Sequence, residues 1–311
     1  MCIRDSVYYA TQSEIRKVST TGQGETTFHE SPGPLGHLAV QGTSLYFSDE
    51  SVGRGGSVMS LPTGGGTATS VFPDVMLQGF EIEQYFANGN HFVMADVNGP
   101  SGKVRKLFRR TGAGVVEPVW ARTTSFGFDA TFTLIGDTFY VGERHLETST
   151  RNSLLAVRAD APAITDDALS NPGAATLVGD VACAVVVGFG TTSPLWCIGP
   201  ESDTSPTYVL RTVTTATGAQ VTRFSPQTHP ASKGGDLILK IATDGDRAYV
   251  ATVGAGEMNY AIYRVTSAGA VSVLACGLPL ISDMTTGGSD LYVSFDSPTE
   301  QGKHGLFKMP R

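Results

Sequence analysis

Short apolar runs of four to eight residues, alternating with polar positions at a period of two, recur along the whole chain, and Gly, Asp and Asn punctuate them. That pattern predicts antiparallel strands joined by tight turns. One phrase stands out: a glycine, two variable residues, an apolar residue, an aromatic and another apolar residue. It occurs at Gly42 to Phe47, Gly136 to Val141, Gly245 to Val250 and Gly288 to Val293. Looser copies run from Gly89 to Met94 and from Thr192 to Cys197, and Val7-Tyr8-Tyr9 lacks the glycine. The anchor positions of the series are 8, 46, 93, 140, 196, 249 and 292.

Each anchor is followed by an amphipathic run leading to a Gly-bearing turn, such as Ile15 to Val18 before Gly22, Val58 to Leu61 before Gly64 and Ile262 to Val265 before Gly269. A third run follows that turn, and a fourth precedes the next anchor, as in Leu35 to Val40 and Leu237 to Ile241. Four strands per repeat of about 45 residues is the unit of a β-propeller blade, whose radial repetition leaves only short edges. The expected fold is therefore an all-β propeller of seven blades, each of four antiparallel strands, with six blades as the alternative. Met1 to Ser6 matches the translation of a transposon sequencing adapter and is set aside, which leaves residues 7–311 as one propeller domain. On this reading the first blade begins at its second strand and the last stops after its third, so the chain is truncated at its N-terminus and has lost the upstream strand that closes the ring. A signal sequence would have been lost with it.

The phrases Leu45-Tyr46-Phe47-Ser48-Asp49 and Val7-Tyr8-Tyr9-Ala10-Thr11 resemble the YWTD-type extracellular propeller repeat. They are also similar to related propellers of secreted proteins and lipoproteins in soil bacteria. The resemblance spans nearly the whole chain and concerns architecture rather than activity. YWTD propellers have six blades, and here only Asp49 and Asp96 carry the terminal Asp, with Glu143 in its place in the next copy. These three carboxylates read as local caps on their strands, since repeated positions are mostly architectural.

Composition narrows the partners. Only 16% of the 311 residues are charged, the net charge is −7, and Lys and Arg form no run. Nothing there grips nucleic acid or an anionic membrane surface, and no stretch is apolar for long enough to form a transmembrane helix. The remaining partners are proteins, glycans or small ligands, with the chain itself monomeric.

His37, Glu81, Asp129, Asp236 and Asp283 fall 9 to 13 residues before their anchors, near the start of the strand that lines a propeller's channel. Such a ring could hold Ca²⁺ through oxygen ligands or bind a polar ligand; the alternative is a wet channel lined by polar side chains. No other cofactor is implied. Cys183 and Cys197 flank a Gly-rich turn whose midpoint is Gly190, so in a symmetric hairpin they face each other and can form a disulfide, which implies an oxidising compartment. Cys276 is then left single, either buried or paired with a residue lost upstream. No nucleophile elbow, phosphate loop, His-Glu-x-x-His or Cys-x-x-Cys is found. His29, His91, His145, His229 and His304 read as surface or turn residues, and Glu143-Arg144-His145 as a polar rim cluster.

The expected function is that of a non-catalytic, extracellular, periplasmic or outer-surface binding module. Its rival is a Ca-type metal-dependent hydrolase or lyase working in the channel.

Overall fold

A computed structural model describes the chain apart from residues 1, 4–5, 12, 51–55, 74–77, 100–101, 124–127, 146–152, 165–174, 180, 182, 189–193, 203–204, 206, 229–236, 255–259 and 297–303. At 2–3, 78–81, 99, 102–103, 123, 128–130, 143–145, 296 and 304 it describes the backbone alone. The fold is a seven-bladed all-β propeller. Its blades have three or four antiparallel strands, and the described residues contain no helix. All seven anchors lie in the second strand of their blades, because the alternation that marks a strand and the glycine that turns the chain before it are both local features. In five of the phrases the glycine has a positive φ (Gly42 60°, Gly89 72°, Gly136 58°, Gly245 108°, Gly288 57°), a backbone region that side chains with a Cβ rarely adopt.

The chain divides into two compact units. Residues 1–125 and 159–174 carry three blades. Blade 1 is Cys2–Ile3, Ser6–Ala10, Glu14–Ser19 and Thr26–Glu30; blade 2 is Leu35–Gln41, Ser44–Asp49, Ser57–Pro62 and Thr69–Ser70; blade 3 is Gln78–Ala87, Asn90–Gly99, Gly102–Arg110 and Val116–Thr123. Apolar side chains fill the spaces between neighbouring blades. Tyr8, Ile15, Leu45, Phe47 and Leu61 pack together between blades 1 and 2, and Val58, Phe72, Ile82, Val93 and Phe108 between blades 2 and 3. The segment after residue 158 joins this unit. Ile164 N donates to Pro118 O at 2.9 Å, and Arg109 Nη1 donates to Ala159 O at 3.0 Å and Ala161 O at 2.9 Å.

Residues 126–158 and 175–311 carry the other four blades. Blade 4 is Phe128–Ile135, Thr138–His145, Ser153–Arg158 and Thr176–Gly179, and blade 5 is Val185–Val187, Leu195–Pro200, Tyr208–Val213 and Gln220–Phe224. Blade 6 is Leu237–Thr243, Arg247–Val253, Tyr260–Thr266 and Val271–Leu278, and blade 7 has three strands, Leu280–Gly287, Asp290–Asp296 and His304–Pro310. Again the core lies between blades, with Trp196, Leu210, Val250 and Tyr263 joining 5 to 6, and Tyr249, Ile262, Met284 and Leu291 joining 6 to 7.

Cys183 and Cys197 form a disulfide, with Cα atoms 5.4 Å apart and both residues fully buried. The geometry differs from the symmetric hairpin expected. Cys197 is registered opposite Val186, and Cys183 lies outside the three-residue first strand of blade 5. Cys183 lies just before that strand, its N–H bonded to Val181 O at 2.9 Å, and reaches Cys197 from outside the ladder. Gly142 makes room for this bend: a Cβ there would stand 2.9 Å from Cys183 O and 3.1 Å from Val186 Cγ1. Cys276 is single, as expected, and its thiol is exposed on the outer strand of blade 6, which removes the buried one of the two alternatives.

Candidate functional site

Of the channel candidates from the sequence, His37 and Asp283 have described side chains. His37 is exposed at a bulge in the first strand of blade 2, with φ at 41°. Asp283 is exposed beside a bulge in blade 7, where its carbonyl accepts from Ser294 Oγ at 3.4 Å. The side chains of Glu81 and Asp129, and the whole of Asp236, lie outside the described residues. Among the described residues no three His, Cys, Asp or Glu side chains are grouped to hold a metal ion. Two of the strand-end acids have structural partners: the buried Asp49 accepts from Ser31 Oγ at 2.9 Å, and Asp96 pairs with Arg105 Nε at 2.8 Å. The side chains of the Glu143-Arg144-His145 cluster lie outside the described residues.

The site that does emerge is a cleft of 240 Å³ beside the first hairpin of blade 3. Its construction starts at Asn88-Gly89, a two-residue loop with φ of 51° and 72°, the left-handed pair that an Asn-Gly hairpin turn uses. This loop pairs Ala87 with Asn90 and sets Phe86 opposite His91, while the third strand sets Arg110 on the other side of His91. Phe86, His91 and Arg110 thus form one row across three strands, and residues opposed in this way share a face. The Phe86 and His91 rings stack with centroids 4.4 Å apart and planes at 19°. From blade 2, the Tyr46 ring stands at 4.9 Å from Phe86 and 4.8 Å from His91, edge-on to the latter.

His91 is 7% exposed and its proton positions are fixed by its neighbours. The Gln84 amide nitrogen donates to His37 O at 2.8 Å, so its oxygen faces His91 Nε2 at 3.1 Å and accepts a hydrogen there. The imidazole is therefore the Nε2–H tautomer. Its Nδ1 is buried and has no hydrogen-bond partner among the described residues. Burial, reinforced by the Arg110 charge, lowers its pKa to about 3, so the ring is neutral at physiological pH. Among the described residues no carboxylate lines the cleft, and Arg110 has no hydrogen-bond or ion-pair partner. The arrangement offers flat apolar walls, one fixed positive charge and side-chain amides; it has no acid–base pair.

Equivalent anchors behave differently. Tyr8 donates its hydroxyl to Thr63 O of blade 2 at 3.4 Å, and Trp196 its Nε1–H to Gly245 O of blade 6 at 3.0 Å. Among the described residues Tyr46 makes no such bond, and it lines the cleft. A second cleft, of 420 Å³, lies between blades 5 and 6, but it is lined by Thr212, Thr214, Thr215, Ser267, Arg223 and Asp246 and has no aromatic wall. His91 was read from the sequence as a surface or turn residue. The signal that could have found it is its place in the phrase, two residues after the glycine, where the other glycine-headed copies carry Ser44, Thr138, Arg247 and Asp290.

No protein-family model and no curated protein matches the chain. Among solved structures it is similar to a prolyl endopeptidase, with a TM-score of 0.62 at 14% identity, covering 98% of this chain and 50% of that one. It is likewise similar to the β-propeller domain of the Trilobed protease from Pyrococcus furiosus (0.62, 8%, covering 97% and 92%). A third is an oligogalacturonate lyase in complex with manganese (0.60, 12%, covering 98% and 82%). The chain thus spans half the length of the prolyl endopeptidase it matches. Identities this low show the fold alone, and that fold is shared by unrelated activities. The protein is a β-propeller; no sequence family confirms the YWTD repeat.

Proposed function

We propose that this chain is a non-catalytic ligand-binding propeller acting outside the cytoplasm. The observation that carries this reading is the cleft built by Tyr46, Phe86, His91 and Arg110: a concave site with apolar walls and few polar groups, which is how small-molecule sites are made. Its histidine is unsuited to general acid–base work near neutral pH, because a group with a pKa of about 3 is too weak a base there. The Cys183–Cys197 disulfide supports an oxidising compartment, since reducing ones keep such thiols apart.

The test is a thermal-shift screen of small ring-bearing acids, amines and neutral sugars, run in parallel with Ca²⁺, Mg²⁺, Mn²⁺, Zn²⁺ and EDTA. A binding module is stabilised by a small molecule whether or not EDTA is present, and mass spectrometry recovers that molecule unchanged. Conversion of the ligand, or stabilisation by a metal ion that is lost on replacing Glu81 or Asp129, overturns the reading in favour of a channel metalloenzyme. Ready alkylation of Cys183 and Cys197 in protein made under oxidising conditions removes the support for the compartment.

A further inference from the structure

We propose that the cleft between blades 2 and 3 binds a small monoanion made of one ring and one carboxylate, the ring lying against Phe86 and Tyr46 and the carboxylate on Arg110. This rests on the ligand-binding reading and adds the chemistry of the ligand.

Arg110 is the first argument. The strand Gly102–Arg110 carries three arginines, and two are accounted for: Arg105 pairs with Asp96 at 2.8 Å, and Arg109 Nε donates to Glu117 at 2.8 Å. Arg110, the next residue, has no such partner among the described residues, yet it is only half-exposed and borders the cleft. A guanidinium presents paired donors that match the two oxygens of a carboxylate. Among the described residues the lining contains no acidic side chain to oppose an anion at close range. His91 adds no charge, because its one proton is held between Nε2 and Gln84. One fixed positive charge fits one negative charge.

The walls are the second argument. Phe86 and His91 stack ring on ring, Tyr46 packs against both, and all three border the cleft. Ring-shaped ligands gain from offset or edge-on contact with such surfaces. The Tyr46 hydroxyl, which has no protein partner among the described residues, is free to bond the ligand. The third argument is size. At 240 Å³ the cleft is smaller than the roughly 300–1,000 Å³ of sites for drug-sized ligands, so a single ring with a short acidic arm fills it.

The test is calorimetric titration of the whole chain with phenylacetate, its neutral isostere phenylacetamide, acetate and phenyl phosphate, with the His91 Hε1 resonance followed by NMR to locate binding. The expected result is that phenylacetate binds and shifts the His91 resonance, while phenylacetamide binds at least tenfold more weakly. Acetate does not bind detectably. Arg110→Gln loses at least tenfold for phenylacetate but not for phenylacetamide, and Arg110→Lys recovers part of the loss; thermal melts of both variants confirm that they fold. Equal affinity for phenylacetate and phenylacetamide, or undiminished binding by Arg110→Gln, overturns the carboxylate assignment and leaves the binding-module reading standing. Phenyl phosphate binding tenfold more tightly than phenylacetate also overturns it. Absence of binding by every ring compound overturns both.

Discussion

His91 makes the protein sensitive to acid in a way that can be measured at one residue. Its pKa is about 3 in the folded chain, against an ordinary value of 6.5, because the ring is buried against Phe86, Tyr46 and Phe72 beside the Arg110 charge. Protonation would place a charge there and an N–H on Nδ1, which has no acceptor. Above pH 6.5 the ring is neutral whether the chain is folded or unfolded, so it contributes no pH dependence. Below 6.5 the unfolded chain binds a proton that the folded chain refuses, and stability falls with pH until about pH 3. The slope approaches ~1.4 kcal/mol per pH unit, which gives a loss of roughly 2 kcal/mol at pH 5 and at most ~5 kcal/mol over the whole span. The assay is chemical denaturation of the wild type and His91→Phe at pH 7.5, 6.5, 5.5 and 5.0. The variant keeps a stacked ring but cannot titrate, and every other group cancels in the difference between the two curves. The expected outcome is that wild type loses roughly 2 kcal/mol more than His91→Phe between pH 7.5 and pH 5. Parallel curves, or an NMR titration of His91 with a midpoint near pH 6.5, would refute the buried neutral ring.

Three further outcomes test the framework around the cleft and the disulfide. Replacing Cys183 and Cys197 together by Ala, or reducing the bond, frees a loop of 14 residues and lowers unfolding stability by about 3 kcal/mol, measured by denaturation with and without reductant. Gly142→Ala drives a methyl group into Cys183 and Val186 and costs about 1–3 kcal/mol in the same assay; Gly64→Ala, whose Cβ meets nothing within 4 Å, stays within about 0.5 kcal/mol of wild type. Arg109→Ala removes the donor from the carbonyls of Ala159 and Ala161, two residues that are themselves buried, at about 1–3 kcal/mol for each group left unsatisfied. That loss is local, so amide exchange and proteolysis between residues 159 and 164 should accelerate before the sheets of blades 1 to 3 are affected.

What the sequence made legible and what it left hidden divide along one physical line, the distance over which the determining interaction acts. A blade's second strand is fixed by neighbours a few residues away: a glycine that turns the chain with positive φ, then alternating apolar positions. Tyr46, Tyr140, Tyr249 and Tyr292 were therefore found directly, Tyr8 and Trp196 followed from the alternation without the glycine, and the spacing of the series led to the seven blades. The disulfide partners were found through an argument about a hairpin that the structure replaces. A strand of only three residues and a bend before Cys183 put Val186, not Cys183, in register with Cys197, yet the two sulfurs still meet. Proximity survived because the two strands flanking the turn still pair, in whichever register, and Gly142 in the neighbouring blade leaves room for the bend at Cys183. The cleft needed two distances at once. Within blade 3, the row from Phe86 through His91 to Arg110 follows from an Asn-Gly turn and could have been drawn from the sequence. The opposing wall could not, because Tyr46 comes from another repeat, and no periodicity states which face of one blade meets which ring of the next. Repeated positions mostly serve the repeat, so departures from it carry the information. His91 stands where the other glycine-headed copies carry Ser, Thr, Arg or Asp. That departure falls at the cleft, as expected if the architecture there has been relaxed to admit a ligand.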